Sequence, residues 1–235
     1  MNILAIGAHP DDIEILCAGT LARYAEQGHT IFMAVFTLGD MGDLVIPPAK
    51  LAAIRKAETE ASAAVLGAQL LWGDVTDELV FPNEAQRRLM IDLLRQADPD
   101  VIFTHSPNDY HPDHRYVSQL VFDSYFQKGL PHLPGQQQPA CRFGQAMVYY
   151  LDNLGGIEFP PTEYVDISAA IETKCRMLQC HQSQVKAMAE LAHTDILEMV
   201  RVQARFRGFA AGCQYAEGFR KLEAYQRGLT RRVLP

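Results

Sequence analysis

The sequence predicts an α/β fold: a Rossmann-like, doubly wound, mostly parallel sheet of about five or more strands, with helices on both faces and a C-terminal helical extension. Three observations predict it. Short continuous apolar runs, Ile3–Gly7, Thr30–Thr37 and Val101–Thr104, read as strands buried on both faces. Segments with helical spacing alternate with these runs, which implies βαβ units. No internal repeat and no composition shift divides the 235 residues, so one domain spanning residues 1–235 is the economical reading.

The elements follow in order. After Ile3–Gly7, the segment Glu14–Gln27 repeats apolar residues at Ile15, Leu16, Leu21 and Ala22, then stops at Gly28 as a helix would. Thr30–Thr37 is the second strand, and Gly39–Pro48 is a loop. Lys50–Leu66, rich in alanine, lysine and glutamate, is a helix closed by Gly67, and Gln69–Trp72 is a short third strand. Asn83 caps a helix over Glu84–Gln96. Pro99 leads into the fourth strand, Val101–Thr104, and a helix over Arg115–Gln127 comes next. Leu130–Gly144, rich in Pro, Gly and Gln, is a loop; Ala146–Leu151 is the fifth strand. Tyr164–Ile167 is a short strand ahead of two helices, Ser168–Lys186 and Ala189–Arg207.

Right-handed crossovers place the second strand beside the first and the third beyond it. The chain then returns to lay the fourth strand on the other side of the first. Strands one and four flank the switch point, where ligands of such sheets bind.

Composition narrows the function. A net charge of −7 argues against nucleic acid, which needs a basic face. No apolar run approaches the roughly 20 residues of a membrane span. The start of the chain has neither the length nor the basic residues of a signal peptide, so a cytoplasmic location is expected. Five cysteines, an odd number, do not suggest a disulfide framework, and Cys175, Cys180 and His181 lack the spacing of a zinc knuckle.

The two strands at the switch point are each followed by a cluster of imidazoles and carboxylates. Ala8-His9-Pro10-Asp11-Asp12 follows the first, and His111-Pro112-Asp113-His114 follows the fourth. A catalytic zinc site takes about three ligands from His and Asp/Glu and leaves a position for water. His9, Asp11, Asp12, His111 and His114 are candidates, with Asp113 a further carboxyl group. Of each close pair, one member can bind metal while the other faces the water. Capping of the following helix is the competing role for the aspartates.

These motifs resemble the PIG-L/LmbE-like deacetylases, zinc-dependent hydrolases that remove acetyl groups, mostly from substrates containing N-acetylglucosamine. The resemblance extends to Thr37-Leu38-Gly39-Asp40, Arg55-x-x-Glu58, Ser106–Tyr110 and His181-Gln182-Ser183-Gln184. It implies that His9, Asp12 and His114 bind the metal and that Asp11 is the general base. His111 is then the general acid, or a cation facing the oxyanion, oriented by Asp113. It further implies substrate contacts from Arg55, Asp77 and Asp40. Some members carry a tyrosine where this chain has Asp109; here the tyrosine, Tyr110, comes one residue later. Zn²⁺ is the implied cofactor, with Fe²⁺ or another divalent ion compatible with the same donors. The implied partner is a small amino-sugar substrate, and assembly into a homo-oligomer is compatible with the family. A metal phosphoesterase or a hydrolase of a non-sugar amide is the alternative. A nucleotide-binding module fits poorly, since the first turn lacks G-x-G-x-x-G and carries two carboxylates that repel phosphate.

Overall fold

The first apolar run forms β1 (Asn2–Gly7) at the middle of a seven-stranded sheet in a computed structural model, which describes residues 1–133, 142, 146–224 and 233–235. The other strands are β2 (Thr30–Thr37), β3 (Gln69–Val75), β4 (Val101–Thr104), β5 (Met147–Leu151), β6 (Glu163–Asp166) and β7 (Ala216–Lys221), in spatial order β3-β2-β1-β4-β5-β7-β6. The first five strands are parallel, and β7 runs antiparallel to both β5 and β6. Strands β1 and β4 are adjacent, with Ile6 opposite Thr104, so both motifs leave the same edge of the sheet.

Side-chain alternation sorts β1 between two apolar layers. Ile3 and Ala5 face α2 (Ala18–Glu26), α6 (Ile171–Gln179) and α8 (Ile196–Ala211). Leu4 and Ile6 face α4 (Glu84–Ala97) and α5 (Pro112–Ser124). A strand covered on both sides needs apolar residues at every position, which is why the run is continuous.

Several boundaries differ from the sequence reading. The first helical segment is two helices, α1 (Asp12–Leu16) and α2, broken at Cys17, whose φ is −146°. The segment Ser168–Lys186 breaks before His181 into α6 and α7 (Gln182–Leu191). The C-terminal helices pack back on the domain, α6 against α2 and α3 (Pro48–Leu66) and α8 against β7. The added strand β7 reads Ala-Glu-Gly-Phe-Arg-Lys, too polar to signal burial. Its Glu217 is nevertheless buried, accepting hydrogen bonds from the Gly19 and Thr20 amides and from Lys174. Most of the Leu130–Gly144 loop, residues 134–141, 143 and 144, lies outside the described residues. No helix among the described residues is long and apolar enough to cross a membrane.

Candidate metal centre

His9 sits on the turn between β1 and α1, Asp12 is the first residue of α1, and His114 sits in the first turn of α5. Their donor atoms converge. His9 Nδ1 is 3.3 Å from His114 Nε2, His114 Nε2 is 3.3 Å from Asp12 Oδ1, and His9 Nδ1 is 3.6 Å from Asp12 Oδ2. Tetrahedral coordination with bonds of about 2.0–2.2 Å separates neighbouring ligand atoms by about 3.3–3.6 Å. Two imidazoles and one carboxylate, here approached through both of its oxygens, are also the donor set of an open catalytic site. The residues present therefore fit a divalent metal ion. Neither aspartate caps α1: Asp11 makes no capping bond, and Asp12 Oδ2 instead accepts from the His9 amide at 2.7 Å.

A second ring of groups holds these three side chains. Asp113 Oδ2 lies 3.1 Å from His9 Nε2 and accepts from the Glu78 amide. Asp109 Oδ1 lies 3.0 Å from His114 Nδ1 and accepts from the His111 amide. A carboxylate on the far nitrogen of a ligating histidine fixes its tautomer and orientation. His105, fully buried, stacks on His114 with ring centroids 3.9 Å apart and brings Nε2 to 3.1 Å from Asp12 Oδ2. Asp109 and His105 were not among the residues singled out for the site. The signal for His105 is topological: it directly follows β4, whose last residue pairs with Ile6 at the end of β1.

The expected orientation of His111 by Asp113 is not what the structure shows. The Asp113 carboxylate turns to His9; only its backbone amide reaches His111 Nδ1, at 3.2 Å, as part of the cap of α5. His111 Nε2 faces Glu78 Oε1 at 3.2 Å. Burial, then positive charge on His9 and His114, holds His111 below the usual histidine range. Tyr110 lines the cavity, its ring 5.8 Å from those of His111 and His114.

Asp11 and Asp12 are adjacent yet electrostatically opposite. Asp11 has φ 105°, is buried, and leaves Oδ2 without a hydrogen-bond partner. Burial and the neighbouring Asp12 charge push its carboxyl up to about 7, against the pull of His181 and Arg55. Burial also opposes ionisation of Asp12, but the imidazoles of His114 and His105 outweigh it and hold that carboxyl well below the usual range. Burial works against charge on His114 as well, yet Asp12 and Asp109 raise it to about 9.

The cavity above these groups has a volume of about 360 Å³. Arg55 lines it, buried, with Nη2 2.7 Å from Gln184 Oε1 and Nε unpaired. Gly39, at φ 70°, makes room: a Cβ there would stand 2.6 Å from Arg55 Cδ. Asp77 lines the cavity too, but its oxygens accept from the Gly39 and Met41 amides. Asp40 is absent from the cavity wall. Its Oδ1 accepts from the Asp77 amide, so it ties two loops together instead of presenting a substrate contact. His181 is buried against Glu14, 3.0 Å away, leaving Gln184 as the cavity-lining member of its motif. Cys175 and Cys180 join no candidate metal cluster among the described residues.

Residues 4–125 match the sequence profile of PIG-L, described as GlcNAc-PI de-N-acetylase. The chain is 28% identical to diacetylchitobiose deacetylase of Thermococcus kodakarensis, over 93% of this chain and 82% of that protein. N,N'-diacetylchitobiose deacetylase from Pyrococcus horikoshii superposes with a TM-score of 0.79 at 27% identity, covering 94% of this chain and 83% of that one. The 4-oxalmesaconate hydratase of Pseudomonas putida is 25% identical over 78% of this chain and 74% of its own.

Proposed function

The chain belongs to the PIG-L family, and on that premise we propose that it is a metal-dependent hydrolase removing an N-acyl group from an amino-sugar-containing substrate. One observation carries the reading. Two imidazole nitrogens and the two oxygens of one carboxylate, at metal-ligand spacing, stand beside a second, buried carboxylate with an unpaired oxygen, poised to exchange a proton near neutral pH.

In this reading His9, Asp12 and His114 hold the ion, Zn²⁺ or another divalent metal. The ion would polarise the amide carbonyl and acidify water. Asp11 takes the proton of the attacking water; a carboxyl near 7 does this at neutral pH and can release the proton again. The proton that Asp11 took passes on to the departing amine, and His111 Nε2, 3.2 Å from Glu78 Oε1, hydrogen-bonds the oxyanion. Its other nitrogen is occupied by the Asp113 amide, which leaves Nε2 as the working atom. Asp113 and Asp109 act one step back, fixing the rings of His9 and His114. Arg55 and Gln184 meet sugar hydroxyls.

The hydratase relative favours a second reading, since water activation also serves addition to a double bond. The charge of the cavity argues against it. Arg55 is its one guanidinium, while Asp11, Asp12, Asp77, Glu78 and Asp109 are all on the wall. That balance suits a neutral amide better than a substrate carrying several carboxylates.

The test is acetate release from a panel of N-acetylated amino sugars, with metal content measured on the same samples. We expect about one divalent ion per chain, loss of activity on chelation and recovery on readdition. Hydrolysis that persists in metal-free protein sinks the reading. Loss of an unsaturated acid's ultraviolet absorbance, with no acetate from any amide, replaces it with hydration.

A further inference from the structure

We infer that the substrate carries a linear hydrocarbon chain and that this chain lies against α7 and α8 in the same cavity as the metal-site groups. The inference rests on the deacylase reading and names its substrate class more closely. The cavity lined by His9 and Asp12 is also lined by Ile15, Leu154, Met188, Leu191, Ile196 and Met199. These come from α1, from the turn after β5, from α7 and from α8. Leu191 is 59% exposed.

A single exposed leucine needs no explanation, but apolar side chains from four separate segments converging on one reactive space do. A free amino sugar has no use for them. Its hydroxyls find partners at Arg55, Asp77 and Gln184, and gain nothing from methionine and leucine. An anionic extension would find no cation on this wall; Arg55 is the cavity's one guanidinium. The methionines, unbranched and adaptable, suit a flexible chain better than a rigid ring. Such a chain reaches the wall from either of two places on the substrate: as the acyl group that is cleaved, or as the aglycone of the sugar. The chemistry recognised is the same.

Calorimetric binding to the full chain, with its metal, separates these cases. The ligands are the methyl glycoside of N-acetylglucosamine, its hexyl glycoside, and N-hexanoylglucosamine methyl glycoside. Each methylene leaving water is worth about fourfold in affinity, so a partly buried chain should tighten binding about 10–100-fold over the methyl glycoside. The hexyl or the hexanoyl arm will show the gain, according to which end of the substrate meets the wall. Leu191→Ser and Met188→Ser should each shrink that ratio about threefold or more. Ratios near one in both arms overturn the inference. If, in addition, Leu191→Ser turns a self-associating chain into a monomer by sedimentation, the wall belongs to a second copy. Acetate release from the methyl glycoside, followed separately, reports on the deacylase reading: activity without a chain effect overturns only the inference drawn here.

Discussion

Replacing Asp11 by Asn should stabilise the metal-free protein, and increasingly so as the pH rises. The wild-type carboxyl titrates at about 7 in the folded chain, against 3.8 for an unperturbed aspartate. A folded value raised above the unfolded one means that the folded state prefers the proton. Stability is therefore intact below about 3.8, falls as the pH rises between the two values, and levels off above about 7. The loss amounts to about 2 kcal/mol at pH 5 and about 4 kcal/mol at pH 8. Asn has the same shape, carries no charge and accepts the left-handed backbone that Asp11 adopts. An unpaired amide in place of the unpaired Oδ2 subtracts a term of about 1–2 kcal/mol that does not vary with pH, so the slope is the diagnostic quantity. Thermal unfolding of both proteins in chelator, at intervals from pH 5 to pH 8, measures it. For a chain of this size the difference in Tm should widen by about 5–10 °C across the range. A difference that stays flat, or narrows, refutes the assignment of Asp11 as a destabilised anion. The same substitution should leave metal bound in the holoprotein and lower kcat about 100-fold or more.

Three further outcomes follow from the geometry. Asp109→Asn should weaken metal affinity about 10–100-fold in a chelator competition, because the carboxylate that holds His114 loses its charge. Apparent metal affinity should rise with pH by about 10–100-fold per unit between pH 6 and pH 8, since, against the effect of burial, Asp113 and Asp12 keep a proton on His9 and Asp12 and Asp109 keep one on His114 up to about 9, and both must leave before the rings can bind; titration with Zn²⁺ at several pH values checks the slope. Gly73→Ala should lower Tm by about 6–12 °C, as a Cβ there collides with the Phe36 carbonyl oxygen in the neighbouring strand and overpacking of this kind costs about 3 kcal/mol.

The parallel half of the sheet was legible because burial on both faces writes itself into sequence as unbroken apolar runs. The strand order followed from crossover handedness, and it brought two distant motifs to one edge. What stayed hidden were features whose meaning depends on a partner far along the chain. β7 looks like a surface segment until Glu217 is seen taking two amide hydrogens from the start of α2 and a lysine from α6. Asp40, read from its motif as a substrate contact, spends its carboxylate on the Asp77 amide. Asp113 illustrates a finer limit. Its place in the second motif suggested work on His111, its near neighbour, yet the helix start points its carboxylate across the switch point to His9, 104 residues away. Sequence proximity says which groups share a turn, and only the turn's geometry says which way each faces.

That geometry also explains how two neighbouring aspartates take different roles. The left-handed conformation at Asp11 separates its side chain from that of Asp12 at the point where the chain enters α1. Asp12 then stands among His9, His105 and His114, and the imidazoles of His114 and His105 outweigh burial to keep it ionised and suited to a metal. Asp11, denied those neighbours, meets burial and the Asp12 charge instead, and its affinity for a proton rises. An ordinary side chain in that backbone conformation costs about 1–2 kcal/mol, and the raised carboxyl adds to it. Both costs fall on the residue assigned to take the proton, in a turn that the rest of the sheet edge holds in place. Strain confined to one residue of a well-packed fold is more readily explained by a chemical task than by folding, which would have been served better by Asn or Gly at that position.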